Sequence, residues 1–130
     1  MVVVEAPTRT ALSISEAATA TGVSAHTLRY YERAGLMLDS VDRAPSSHRR
    51  YSPDEVGWVV LLTKLRKTGM PIRRMRQYAD LVRAGDGNEG ERLALLVAHR
   101  ETVREQLREV RDNLATIDFK IETYKERIAD

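Results

Sequence analysis

Cysteine is absent from this chain of 130 residues, which excludes disulfides and thiolate-based metal or redox sensing. No apolar run approaches the roughly 18–20 residues of a membrane span. Met1-Val2-Val3-Val4 is too short for a signal-peptide core, and Glu5 follows it directly. A cytoplasmic protein with no membrane partner is therefore expected. Catalytic signatures are missing too, with neither a Gly-rich phosphate loop nor a nucleophile elbow. His26, His48 and His99 lack Cys partners and ligand-type spacing, so no metal site and no cofactor is expected. The acidic residues fall mostly on exposed faces of predicted helices, and an enzyme is not expected. No internal repeat or low-complexity segment is evident.

What is present begins with an uneven charge. Residues 1–85 carry 13 Lys and Arg against 8 Asp and Glu, whereas residues 86–130 carry 8 against 11. A basic front and a mildly acidic back suggest that only the front meets a polyanion. The length allows one compact domain plus an extension.

Residues 1–12 read as a loose N-terminal arm. Ser13-Ile14-Ser15-Glu16 has the spacing of a capping box for a short helix from Ile14 to about Ala20. Gly22 then sits in a tight corner, and Ser24 can cap a second helix, Ser24–Ala34, that stops at Gly35. Two short helices so spaced, the second rich in Arg and Tyr, have the form of a DNA-binding helix-turn-helix. Residues 36–50 are the one expected strand region, with Leu36-Met37-Leu38 and His48-Arg49-Arg50-Tyr51 flanking a polar middle, and a hairpin wing or an irregular loop fits them. Ser52-Pro53-Asp54-Glu55 starts a third helix with a cap, a proline at the first position and a capping box, and it runs to Gly69. A fourth, from about Pro71-Ile72 to Gly85, is expected to bury Ile72, Met75, Tyr78, Ala79 and Val82.

On the second helix, Arg29 is the candidate for a base contact, since a guanidinium can bind guanine O6 and N7 together. Ser24, His26 and Thr27 lie at the helix start, where side chains reach base edges or phosphates. Tyr30 and Tyr31 point about 100° apart, so one is expected inward and the other outward to a phosphate. Both could instead belong to the core. Arg43, His48, Arg49, Arg50 and Tyr51 form a second cluster that on a wing would meet the sugar-phosphate backbone. A merely solvated charge cluster is the competing reading.

Asp86-Gly87-Asn88-Glu89-Gly90 breaks the chain as a linker over 86–90, and the pattern beyond it changes. Leu93, Leu96, Val103, Leu107, Val110, Leu114, Ile117, Ile121, Tyr124 and Ile128 follow a 3,4 alternation that only Arg100 interrupts. This predicts a coiled-coil helix over 91–130, about 50 Å long at 1.5 Å per residue. Its stripe, with Leu93 to Ile121 as the principal positions, calls for a partner helix, most simply from a second copy. Folding back on its own domain is the alternative. Glu101–Arg104 and Glu105–Arg108 are expected as i,i+3 pairs.

Gly22-Val23-Ser24, Thr27-Leu28-Arg29-Tyr30-Tyr31-Glu32, Gly35-Leu36, Arg49-Arg50-Tyr51 and Gly69 closely resemble the MerR family of transcription regulators, over Ile14 to about Leu81. The resemblance implies a mainly α protein, a winged helix-turn-helix domain over 13–85 followed by a dimerisation coiled coil packed antiparallel. It implies a homodimer on a pseudo-palindromic promoter, distorting double-stranded DNA so that RNA polymerase engages it. Carried over by position, Thr27, Arg29 and Tyr30 fall on the recognition helix, and Arg43, Arg49 and Tyr51 on the wing. The chain departs from the family pattern at Ser47-His48-Arg49, where Gly-Tyr-Arg is usual, and lacks the usual proline after Gly35-Leu36.

Trp58, Leu65-Arg66, Gly69-Met70, Tyr78, Leu81 and Gly85-Asp86 resemble the aldehyde- and electrophile-responsive (AdhR/NmlR-like) branch. Where that branch places a sensing cysteine this chain has Lys64, so thiol alkylation is not its signal. Lys64 reads as a solvated lysine, with Schiff-base formation as the alternative. The chain stops at Asp130 directly after the long helix. An unknown small-molecule effector would then use the crevice between front domain and coiled coil, with Trp58, Met75, Tyr78 and Phe119 as candidate lining or as plain core. The rival functions are an architectural, excisionase-like DNA protein without a promoter role, and a module whose coiled coil binds a different partner.

Overall fold

The computed structural model describes residues 11–38, 42–43 and 49–130, with backbone only at 42, 43 and 49. The order is β1 (Leu12–Ser13), α1 (Ile14–Thr21), α2 (Ala25–Arg33), β2 (Asp42–Arg43), β3 (Arg49–Tyr51), α3 (Pro53–Lys67), α4 (Ile72–Arg83) and α5 (Glu89–Ala129). The chain divides into two compact units, Met1–Arg92 and Leu93–Asp130. This is a mainly helical, winged helix-turn-helix fold with a long C-terminal helix.

Local chemistry sets the helix boundaries. Ser13 and Ser52 each accept the backbone N–H three residues on, while Glu16 and Glu55 accept the N–H of the capping serine. Two orphan donors are satisfied at each start. These bonds from Ser13 hold the Glu16 carboxyl below its ordinary pKa, with a smaller contribution from the Arg50 charge. α2 and α3 both end in a Schellman motif. Leu36 N–H donates to Tyr31 O and Gly35 N–H to Glu32 O, as Met70 and Gly69 do to Leu65 and Arg66. The left-handed residue is Gly35 (φ 75°) in the first case and Gly69 (φ 95°) in the second.

In the first unit Ala17, Leu28, Leu36, Tyr51, Val59, Leu62, Met75 and Ala79 are wholly buried. Trp58 and Tyr78 stack with ring centroids 5.5 Å apart, joining α3 to α4. Trp58 Nε1–H donates to Leu36 O at 2.7 Å. Of the five apolar residues expected to be buried on α4, Met75, Tyr78 and Ala79 are, while Ile72 and Val82 remain half-buried.

Two strand expectations are corrected. A three-stranded sheet of order β1-β3-β2 forms, and one of its two outer strands is Leu12–Ser13, paired antiparallel with Tyr51 and Arg50. Leu12 therefore belongs to the fold; residues 1–10 of the expected arm lie outside the described residues. Leu36 and Met37 are buried but form no strand. Their backbone groups serve other partners: Leu36 N–H closes the α2 cap, Leu36 O takes the Trp58 indole, and Met37 O takes Arg83. The expected linker 86–90 is also shorter, because α5 starts at Glu89.

Candidate nucleic-acid interface

α2 has two unlike faces. Leu28 and Tyr31 are buried, whereas His26, Arg29, Tyr30 and Arg33 are exposed. The four exposed residues stand at i, i+3, i+4 and i+7, which places them on one stripe of the helix. Tyr30 remains 40% exposed while Tyr31 is 3%. Ser24 caps the helix at Thr27 N–H (3.0 Å), and its hydroxyl donates to the Thr27 hydroxyl, also at 3.0 Å. Ser24 and Thr27 thus shape the helix start from which His26 projects. Arg33 was not among the sequence candidates, although its spacing from Arg29 and Tyr30 carries the signal.

β2 and β3 pair antiparallel, with Arg43 opposite Arg49 and Asp42 opposite Arg50. Arg50 is exposed. His48, with residues 44–47, lies outside the described residues, as do the side chains of Arg43 and Arg49.

Tyr51 does not face outward, contrary to the expectation of a backbone contact. It is wholly buried, and its hydroxyl donates to the Glu32 carboxylate. Through that bond Tyr51, the last residue of the central strand, ties β3 to α2.

A basic surface that the motif search missed lies at the α3–α4 corner. Lys64, Arg66 and Lys67 end α3, and Arg73, Arg74 and Arg76 open α4; all six are exposed. No Asp or Glu occurs from residue 56 to residue 79, and this was the available signal. Arg73 and Arg74 sit against the helix dipole in a first turn with no acidic residue and no side-chain cap. Such an arrangement costs about 0.3–1 kcal/mol per charge, and an anion placed there removes the cost. Lys64 belongs to this solvated group.

The residues considered as effector lining separate. Trp58, Met75 and Tyr78 are core side chains of the first unit, whereas Phe119 lies in the second unit and is 73% exposed. Burial in mutual contact accounts for the Trp58–Tyr78 pair as packing. On α5, Leu93, Leu107, Val110, Leu114, Ile117 and Ile121 are exposed, and Leu96 and Val103 are half-buried. The expected Glu101–Arg104 and Glu105–Arg108 pairs form on its surface.

Residues 12–81 match the family described as MerR HTH family regulatory protein. An uncharacterized HTH-type transcriptional regulator of Haemophilus influenzae is 32% identical over 111 residues, which cover 85% of this chain and 82% of that protein. The HTH-type transcriptional regulator AdhR of Bacillus subtilis is 32% identical over 94 residues, covering 72% and 66%. Among solved structures, a MerR family transcriptional regulator from Listeria monocytogenes superposes with a TM-score of 0.82 at 32% identity, covering 88% of this chain and 86% of its own. HiNmlR, a MerR family regulator lacking the sensor domain and bound to promoter DNA, superposes with a TM-score of 0.80 at 31% identity, covering 92% and 94%.

Proposed function

The chain belongs to the MerR family of transcriptional regulators, and we propose that it works as a homodimer on a pseudo-palindromic promoter spacer, distorting it to control RNA polymerase. Its class is that of DNA-binding regulators rather than enzymes. The observation that carries the proposal is the exposed stripe His26, Arg29, Tyr30 and Arg33 on a capped nine-residue helix within a helix-turn-helix. The likeness to promoter-bound HiNmlR supports it.

In this reading residues 13–85 form the DNA-binding domain and residues 91–130 the dimerisation helix, with cytoplasmic promoter DNA as the target. Arg29 reads a base edge in the major groove, with Ser24, His26, Thr27 and Tyr30 around it. Arg43, His48, Arg49 and Arg50 meet phosphates from the wing. At the α3–α4 corner Lys64, Arg66, Lys67, Arg73 and Arg74 supply a further set of phosphate contacts, while Arg76 is engaged with the Ala34 carbonyl. The stripe of α5 pairs with a second copy, so that two reading helices address half-sites related by twofold symmetry. Distortion of the spacer between them adds specificity without further base contacts.

The experiment that tests this is a footprint of the purified protein on its own upstream DNA. Symmetric protection between −35 and −10 elements, with enhanced cleavage at the centre, is the expected result. Protection that ignores promoter elements would instead support an architectural role. Arg29→Ala is expected to cost about 1–3 kcal/mol and to relax preference at one base pair. A variant that selects the same sequence with unchanged affinity would show that Arg29 reads nothing.

The corner gives a different signature. Lys67→Ala with Arg73→Ala is expected to weaken binding to all duplexes alike and to lower the slope of log affinity against log salt by about 2, near 0.9 per lost phosphate contact. A slope equal to that of the wild type would remove the corner from the interface.

A further inference from the structure

The carboxyl end of α2 is held by side chains from far along the chain. Once the Schellman bonds are made, the carbonyls of Ala34, Gly35 and Met37 still need donors. Arg76 Nε donates to Ala34 O at 3.1 Å, and Arg83 Nη1 donates to Gly35 O at 3.1 Å and to Met37 O at 2.6 Å. The second terminal nitrogen of Arg83 pairs with Asp80 one turn back on α4. Arg76 also lies directly over the turn, where a Cβ on Gly35 would sit 3.3 Å from its Nε. Arg76, Asp80 and Arg83 fall at i, i+4 and i+7, one face of α4 turned to the end of α2.

The carboxyl end of α4 is itself tied by the same chemistry. Its Leu81 carbonyl accepts from Asn88 Nδ2 at 2.8 Å and from Arg92 Nη2 at 3.5 Å, and Gly85 O also accepts from Arg92. Arg92 Nε in turn donates to Asn88 Oδ1 at 2.6 Å. A run of guanidinium-to-carbonyl bonds therefore leads from the first turn of α5, through α4, to the end of α2 and the segment that leads into the wing. Charged donors give these bonds more strength and direction than neutral ones.

We propose that Arg83, assisted by Arg76 and oriented by Asp80, is a positioning residue for DNA recognition. It rests on the reading of α2 as the base-reading helix. A helix of nine residues takes its direction from its surroundings: the buried Leu28 and Tyr31 seat α2 on the core, and the grip on its carboxyl end fixes the tilt about that seat. The grip on Ala34, Gly35 and Met37 spans the stop of α2 and the chain that leaves it. The stripe around Arg29 and the wing thereby meet DNA as one body. None of these three side chains needs to touch the duplex.

The test compares affinity for a duplex selected by the wild-type protein from a random library with affinity for an unselected duplex. Arg83→Met is expected to weaken selected-site binding about 10-fold while leaving unselected binding within about twofold, because the charge removed is one already paired with Asp80 and the main loss is of register. Arg83→Lys, which can reach one carbonyl, is expected to recover part of that ratio, and Asp80→Asn to lose part of it. Unchanged selected-site affinity in Arg83→Met overturns the proposal. So does an equal loss on both duplexes, which marks a phosphate contact or a general structural role. If Arg83→Met does not fold, Asp80→Asn and Arg83→Lys decide, and an unaltered ratio in both overturns the proposal. Arg29→Ala is measured alongside. If it leaves selected-site binding intact, the reading of α2 itself has failed; if it weakens binding and Arg83→Met does not, only the positioning role has failed.

Discussion

Leu114→Asp together with Ile117→Asp is expected to abolish the proposed pairing of two α5 helices, leaving a monomer, and to weaken binding to the full site roughly 100-fold or more. In the single chain the stripe residues Leu93, Leu107, Val110, Leu114, Ile117, Ile121, Tyr124 and Ile128 are between 45% and 84% exposed. A helix of 41 residues does not keep such a face in water without cause. Covering about ten such side chains at roughly 1–2 kcal/mol each is ample to hold two chains together. An aspartate in the covered seam costs several kcal/mol, since burial removes its water and offers no partner. Separated chains then meet one half-site at a time and lose the gain of linked binding. Phe119→Asp is the matched control. Phe119 lies two residues from both Ile117 and Ile121, on the other side of the helix, and is expected to leave mass and affinity unchanged. Sedimentation and binding to the full site read both effects. A double variant that stays dimeric with wild-type affinity would place the subunit contact elsewhere.

The parts of this fold legible in the sequence are those governed by neighbours within four residues. The two capping boxes, Ser13–Glu16 and Ser52–Glu55, and the stops at Gly35 and Gly69 are local devices, and the starts of α1 and α3 and the ends of α2 and α3 follow from them. The stripe of α5 is periodic and equally plain. β1 was hidden because a two-residue strand exists only through its pairing with Tyr51 and Arg50, some 37–39 positions away. Tyr51 was misplaced for a related reason: an Arg-Arg-Tyr run reads as one basic and aromatic cluster, but alternation along a strand sends neighbours to opposite faces. Arg50 accordingly faces out and Tyr51 in. The grips of Arg76, Arg83 and Arg92 end on backbone carbonyls, which every residue carries, so no residue type marks the receiving end. On the exposed stripe of α2, Arg33 was omitted because it closes the motif rather than opening it, although helical spacing joins it to Arg29 and Tyr30.

Trp58→Ala is expected to be among the most destabilising single changes in the chain, lowering the unfolding free energy by about 4 kcal/mol or more. Removing a buried tryptophan costs roughly 3–5 kcal/mol through lost transfer energy and the cavity left behind. The stack on Tyr78, which joins α3 to α4, goes with it. The Leu36 carbonyl also loses its indole donor in a buried position, at roughly 1–3 kcal/mol. Against a total stability of about 5–15 kcal/mol for a domain of this kind, that leaves little in reserve. Trp58→Phe separates the contributions, because a ring can still stack on Tyr78 while the N–H donor is gone. It is expected to lose about 1–3 kcal/mol, mostly from the orphaned carbonyl. Urea unfolding followed by far-UV circular dichroism measures both variants without relying on the lost fluorophore. The comparison also decides between the two roles considered for this side chain. An aromatic wall of an open pocket can be truncated at little cost to stability, since its removal merely enlarges a space that is already there. A residue closing the contact among α3, α4 and the end of α2 cannot. A loss below about 1 kcal/mol in Trp58→Ala, far under the usual cost of such a truncation, would therefore restore the pocket reading and remove Trp58 from the core.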